Sequence, residues 1–176
     1  QASRYLTRFS RLLQESLSGD QEITRTLEKE LDFVRNYLEI ETLRYPEKFE
    51  YTLEVGPGVD TGSLLPAMNI QLFVENALKH GIKPKQGKGS IRISIQLLQG
   101  YLVIEITDDG VGRKAAATSG ESSTGRGLAI LNTLYALYNQ NHSDKIRYEV
   151  EDLDTESDEA TGTKVRVWVP NGFSYE

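Results

Sequence analysis

The chain has 176 residues, 38% hydrophobic and 26% charged, which fits one soluble domain, or a domain with an appendage, able to bury a real core. Its formal net charge of −6 counts against a nucleic-acid-binding surface. The absence of cysteine excludes a disulfide framework or a thiolate zinc site and fits a reducing compartment, no apolar run approaches the roughly 18 residues of a membrane span, and no signal peptide is visible.

Residues 3–17 carry Leu6, Phe9, Leu13 and Leu17 at spacings of three and four, the pattern of an amphipathic helix. Ser18-Gly-Asp20 breaks it. A second helix, capped by Thr24 or Thr26 and running to about Leu43, places Glu28 to Glu30 in its first turns, where the helix dipole favours acids. One apolar stripe is Leu27, Leu31, Val34 and Leu38, and a second is Phe33, Tyr37 and Ile40. Two stripes predict two packing neighbours, as in a helical bundle. Pro46 closes the helix. The sequence opens at Gln1 rather than Met and reads as a fragment of a longer parent.

From Phe49 the period becomes two. Phe49, Tyr51, Leu53 and Val55 form a strand, followed by a Gly56-Pro-Gly58 turn. Pro66 then opens a helix containing Gln71-Leu-Phe-Val-Glu-Asn-Ala-Leu-Lys-His-Gly-Ile82. On α-helical spacing Ile70, Phe73, Val74 and Ala77 form the core face, while Asn76, Lys79 and His80 share an arc of about 100°. Gly81 ends the helix, and Pro84 prevents its resumption. An amide oxygen, an ammonium and an imidazole side by side suit a metal-phosphate group, but spacing alone fits an ordinary solvated face equally well.

Ile91, Ile93, Ile95 and Leu97 form the next strand, Gln99-Gly100 a hairpin turn, and Tyr101 to Thr107 the returning strand. Asp108-Asp-Gly-Val-Gly112 follows at the strand end. Glycines there allow a sharp turn and close approach to a ligand, and a carboxylate can accept a hydrogen bond from an amine. An Asp-Gly turn without a ligand is the common alternative. Residues 113–127 lack an apolar period and read as a loop. Thr124-Gly-Arg-Gly-Leu-Ala-Ile130 opens another helix, and free amides at a helix start attract anions. Helical spacing resumes from Leu128 to Tyr138. Ile146 to Val150 is a short strand. Glu149 to Glu159 holds seven acids in eleven residues, read as a solvated hairpin loop. Thr161-Gly-Thr163 leads into the last strand, where Val165, Val167 and Val169 face one way and Trp168 the other. The fold class is therefore α/β: a two-layer sandwich of a mixed, mostly antiparallel sheet with helices on one face, preceded by helices. There is neither a phosphate-loop signature nor a nucleophile elbow, and His80 and His142 do not make a metal-ligand pair at helical spacing.

In order, these constellations resemble the nucleotide-binding boxes of the GHKL superfamily of gyrase-like ATPases, heat-shock chaperones, histidine kinases and mismatch-repair ATPases. The asparagine box is Glu75-Asn-Ala-Leu-Lys-His80, the glycine boxes are Asp108 to Gly112 and Gly125-Arg-Gly-Leu128, and the last is Gly162-Thr163. Leu65-Pro to Ile82, and Glu30-Leu through Arg44, are more specifically similar to sensor histidine kinases of the LytS type. The resemblance implies a Bergerat-type ATP-binding fold. It implies that Asn76 supplies an oxygen to Mg2+, that Lys79 and His80 face the phosphates of ATP, and that Asp108 binds the adenine amino group. Gly110 and Gly112 would let the backbone approach the base. Residues 113–127 would form a lid hinged at Gly125 and Gly127. Arg126 departs from the small or apolar residue usual between those glycines, and Leu128 and Thr163 complete their boxes.

Gyrase-like members carry a water-activating Glu one turn before the asparagine. Leu72 stands there and cannot serve as a base, so ATP should be held without rapid hydrolysis. The family's phosphoacceptor string His-Phe-Leu-Phe-Asn is absent. Residues 1–45 would thus be a remnant of the helical dimerisation and phosphoacceptor region, and residues 46–176 the catalytic domain. The fragment should bind ATP but not label itself. The resemblance also implies a homodimeric, membrane-anchored parent with its catalytic portion in the cytoplasm, and a response regulator as partner. A protein serine kinase of the anti-sigma type and a non-enzymatic nucleotide-sensing or dimerisation module are the competing readings.

Overall fold

The structure, a computed structural model, describes residues 23–113, 126–153 and 162–174. The helix expected over residues 3–17, residues 114–125 of the expected lid with its hinge Gly125, and residues 154–161 of the acidic stretch lie outside the described residues, as does the Arg126 side chain. Among the described residues no helix is long and apolar enough to cross a membrane.

A three-residue strand β1 (Thr24–Thr26) leads straight into α1 (Leu27–Arg44). Of the two candidate caps, Thr26 is the one used. Its hydroxyl accepts the Lys29 N–H at 3.3 Å, while the Leu27 and Glu28 amides donate to the Ser63 and Thr61 carbonyls at 2.8 Å. The stripe Leu27, Leu31, Val34 and Leu38 enters the main core, and Phe33 and Ile40 are buried as well.

After β2 (Phe49–Val55), the chain does not enter a helix at Pro66. Pro66 ends a short strand β3 (Leu64–Pro66), paired antiparallel with β1. The backbone then turns at Met68, with φ at 64°, and α2 begins only at Gln71. The delay has a physical cause. The Glu30 carboxylate accepts the N–H groups of Met68, Ile70 and Gln71 at 2.8, 3.2 and 3.4 Å, so a side chain from α1 fixes where the amides of the new helix start.

Beyond α2 (Gln71–Asn76) the helix widens into a π-helical segment, Ala77–Ile82, instead of ending at Gly81. The Lys83 N–H reaches back five residues to the Leu78 carbonyl at 2.9 Å. The 100° arc calculated for Asn76, Lys79 and His80 therefore does not apply past Ala77.

The main sheet has strand order β2-β4-β5-β7-β6, with β4 (Gly89–Leu98), β5 (Tyr101–Asp108), β6 (Arg147–Leu153) and β7 (Gly162–Pro170). β2 and β4 are parallel and the other pairs antiparallel, the mixed sheet that the hairpins predict. Gln99 and Gly100 both have positive φ, the two-residue loop whose twist matches a hairpin. α3 (Arg126–Asn141) begins two residues before the predicted Leu128, and β6 runs on to Leu153.

Alternation sets the register. Ile91, Ile93 and Ile95 of β4, Leu102, Ile104 and Ile106 of β5 and Val165, Val167 and Val169 of β7 join the core shared with the helices. A slip of one residue would turn these side chains to the polar face at about 1.5–3 kcal/mol each. On that outer face Trp168 lies under Arg147, 4.0 Å from the ring centroid, with Arg166 at 5.7 Å, and Arg166 donates to Glu105 at 2.7 Å.

Candidate functional site

Asp108 is the last residue of the central strand. Its neighbours in register are Ile91 of β4 and Thr163 of β7, so strands on both sides fix its backbone. Only 4% of the residue is exposed. Burial pushes its carboxyl up to about 6, Asp109 adds to the rise, and the Gly110 and Thr163 amides and Lys85 oppose it. The Gly110 N–H donates to Asp108 Oδ1 at 2.9 Å. For Asp109, burial alone would raise the carboxyl, but the Ser90 N–H at 2.7 Å and Lys85 at 3.1 Å outweigh it and hold it below its ordinary value. Two adjacent carboxylates thus have opposite environments: one buried acceptor, and one ion-paired group that staples the loop to β4.

Glycines decide how close the loop comes to the helix. The Val111 N–H donates to the Gly81 carbonyl at 3.0 Å. A methyl group on Gly110 would collide with the Gly81 backbone, and one on Gly81 would stand 2.5 Å from Asp108 Oδ1. A methyl group on Gly162 would strike the Asp108 carbonyl oxygen. Gly112 has φ at 74°, which a side-chain-bearing residue adopts at a cost. The wide π turn presents Gly81 to this loop, and the segment lies against β4, β5 and β7.

The structure thus brings the Asp108–Gly112 loop and the Gly162–Thr163 strand start onto the helix that carries Asn76, Lys79 and His80. Asn76 ends α2 and is partly exposed; Lys79 is exposed and His80 partly buried, both within the π segment. Thr163 is partly buried beside Asp108. Gly127 lies in the first turn of α3, where a methyl group would stand 2.5 Å from Leu72 Cδ1, and Leu128 packs against the core. The backbone of Arg126 opens α3. Leu72 is itself a core residue, with no carboxylate at that position.

Several residues of the site's support escaped the sequence reading. Glu30, read as a dipole acid, is fully buried and organises the approach to α2. Asn69 is buried with its Oδ1 accepting the Tyr135 hydroxyl at 2.6 Å, tying α3 to the same approach. Lys48 Nζ donates to the carbonyls of Lys85 and Gly87, bracing the loop before β4. Arg113 holds Asp152 of β6 at 2.7 and 2.9 Å. A signal for Glu30 did exist: three residues from Leu27 and four from Val34, it borders the apolar stripe instead of standing on the opposite face.

The profile of the family described as histidine kinase-, DNA gyrase B-, and HSP90-like ATPase matches residues 67–172, a span holding α2, both glycine boxes and β7. The chain belongs to this ATPase family. A second family, described as histidine kinase, matches residues 1–49. Among relatives of the ATPase-family chain, the sensor protein LytS of Staphylococcus epidermidis is 34% identical over 137 residues, covering 74% of this chain and 23% of the relative. The sensor histidine kinase YesM of Bacillus subtilis is 30% identical over 132 residues, 75% of this chain and 22% of the relative. The LytS protein of Streptococcus agalactiae serotype V is 29% identical over 176 residues, 96% of this chain and 29% of the relative. The chain spans about a quarter of the length of these relatives. The fold is also that of the histidine kinase domain of the Erythrobacter litoralis EL346 blue-light activated histidine kinase, with TM-score 0.54 at 18% identity, over 96% of this chain and 78% of that one. The catalytic domain of histidine kinase ThkA superposes with TM-score 0.51 at 15% identity, over 84% and 96% respectively.

Proposed function

We propose that this chain is the Mg2+-ATP-binding catalytic domain of a two-component sensor histidine kinase. The γ-phosphate would pass to a histidine on a dimerisation helix absent from the sequence. The observation that carries the reading is the seating of Asp108 on Gly81, one residue beyond His80 on the Asn76 helix. A buried acceptor for an exocyclic amine at the end of β5 then lies against the helix that would present Asn76, Lys79 and His80 to the phosphates. Gly81 and Gly110 let the loop close onto the helix until the Asp108 carboxylate lies against Gly81, and a buried carboxylate is a chemically suitable acceptor for an exocyclic amine. Asp108 would accept the adenine amino group, with Gly110 and Gly112 giving the base its backbone walls. Lys79 and His80 would face the phosphates. Gly125 and Gly127 would hinge the loop, Arg126 between them would belong to the nucleotide-binding set, and Leu128 and Thr163 would close the two ends of the site. Asn76 would give its amide oxygen to Mg2+, an ion often bound by one or two protein groups plus substrate phosphates. When bound, the ion supplies charge neutralisation to phosphoryl transfer, and the chain's own part is positioning.

The names of the similar proteins support the sensor-kinase assignment. On this reading the parent would be homodimeric and membrane-anchored, with this part in the cytoplasm and a response regulator as partner. Residues 1–45 would be the remnant of the dimerisation region and residues 46–176 the ATP-binding domain, although α1 shares its core with that domain. Calorimetric titration with Mg2+-ATP tests the site. Asp108→Asn should weaken binding about tenfold or more, given about 1.5–3 kcal/mol for a charge-assisted hydrogen bond. Asn76→Ala, which removes the ligating oxygen, should remove most of the Mg2+ dependence of affinity. Unchanged affinity in both variants would overturn the assignment.

A further inference from the structure

Glu30 and Glu41 lie eleven residues apart on α1, which at 100° per residue is three turns plus about 20°. They therefore share one edge of the helix, roughly 16 Å apart along its axis. Each grips a different end of the Asn76 helix. Glu30 holds the Met68, Ile70 and Gln71 amides, with Arg25 at 3.7 Å. Glu41, 6% exposed, holds Lys83 Nζ at 2.9 Å, one residue past the π segment, with Arg44 at 3.7 Å. Between the two grips α1 and α2 pack Leu31, Val34, Phe73 and Val74 into one cluster.

We infer that Glu30 and Glu41 are positioning residues that clamp the Asn76 helix to α1 at both ends, so that the setting of α1 controls nucleotide affinity. The inference rests on the reading of Asn76 as a nucleotide ligand. Buried ion pairs add little net stability over apolar packing of the same volume. Glu30 fixes a register by directional hydrogen bonds to three amides, and Glu41, whose 2.9 Å contact with Lys83 lacks hydrogen-bond geometry, fixes the other end by charge attraction. The second grip also falls where the helix is wide and least regular. The π segment is held at Gly81 by the Val111 N–H and at Lys83 by Glu41, and Lys79 and His80 lie between Asn76 and these holds. Lys83 also stands 4.7 Å from the Tyr45 ring centroid, so the ammonium is located from two sides. Glu75, next to Asn76, receives the Gln71 amide at 2.8 Å, and the Glu41 charge reaches it. α1 itself lies within the segment matched by the histidine kinase family upstream of the ATPase match. It belongs at once to the region through which a signal would arrive and to the core beneath the site.

A double-mutant cycle tests the clamp in the 176-residue chain. Glu41→Gln and Lys83→Met should each weaken Mg2+-ATP binding about tenfold at a temperature where circular dichroism shows both fully folded, and the double variant should be no weaker than either single. Hydrogen exchange provides a second readout independent of nucleotide: amides of residues 77–83 should lose protection in Glu41→Gln while those of β4 and β5 keep theirs. Glu30→Gln should do the same at residues 70–74. Parental affinity in the folded single variants, additive effects in the double, or unchanged exchange at residues 77–83 would overturn the inference. If the parent bound no ATP, the nucleotide reading would fall with it, and the control of affinity would fall too; exchange would still decide whether the clamp exists.

Discussion

At Asp108 the needs of the fold and of the site oppose each other. A carboxyl raised from 3.8 to about 6 carries about 3 kcal/mol of preference for its neutral form in the folded chain. The stabilisation from the neutral form is fully present below 3.8 and is lost as pH rises through about 6. At neutral pH the protein therefore holds a charged acceptor at the expense of stability, as groups tuned for binding commonly do. Asp108→Asn should accordingly raise the melting temperature of the ligand-free protein near pH 8, with the gain shrinking between about pH 6 and pH 4. A gain that did not vary with pH would refute the burial account of this residue. Asp108, Gly110 and Gly112 were legible in the sequence because a strand ended on them. Glu30 and Asn69 were not, because their partners are backbone amides and a tyrosine 38–41 and 66 residues away, and no local pattern encodes a distant contact.

Among the elements, the strands of the main sheet were legible because a period of two survives even short runs. β1 and β3 were not: three residues carry no period, and Thr24 pairs with Pro66 and Thr26 with Leu64 across a helix and a strand. The π segment was hidden as well, since its apolar residues Ala77, Leu78 and Ile82 also satisfy an α-helical reading. Two glycines of the site should behave differently on substitution. A methyl group at Gly110 meets Gly81 backbone, which cannot yield without moving the helix. A methyl group at Gly127 meets only the tip of the Leu72 side chain, and alanine regains up to about 1 kcal/mol of helix propensity. Gly110→Ala should therefore destabilise the fold by about 2 kcal/mol or more and abolish nucleotide binding, whereas Gly127→Ala should be nearly neutral in thermal melts. Equal melting temperatures for the two variants would contradict this.

For the whole molecule, the α/β class and the single helical layer followed from the order of periods along the chain, and the family from the order of its boxes. What the order could not convey was that α1, upstream of the ATPase match, forms part of the same core. The proposed function makes a prediction at this scale. Incubated with labelled ATP, the chain alone should incorporate negligible phosphate, whereas a histidine-bearing dimerisation helix supplied in trans should become labelled when the chain is present. Robust labelling of the chain itself, or transfer to a serine partner instead, would contradict the histidine kinase reading.

The placement of Trp168 governs how such binding is to be observed. It is the sole tryptophan, stacked beneath Arg147 on the outer face of the sheet, five residues up β7 from Thr163. That distance is roughly 16 Å along the strand, and the side chain points away from the helices. Its emission will follow the loss of the sheet on unfolding, while a ligand beside Asp108 will leave the spectrum flat. A fluorescence titration would then report no binding where calorimetry finds it, and a tryptophan reporter would have to be introduced on the helical side.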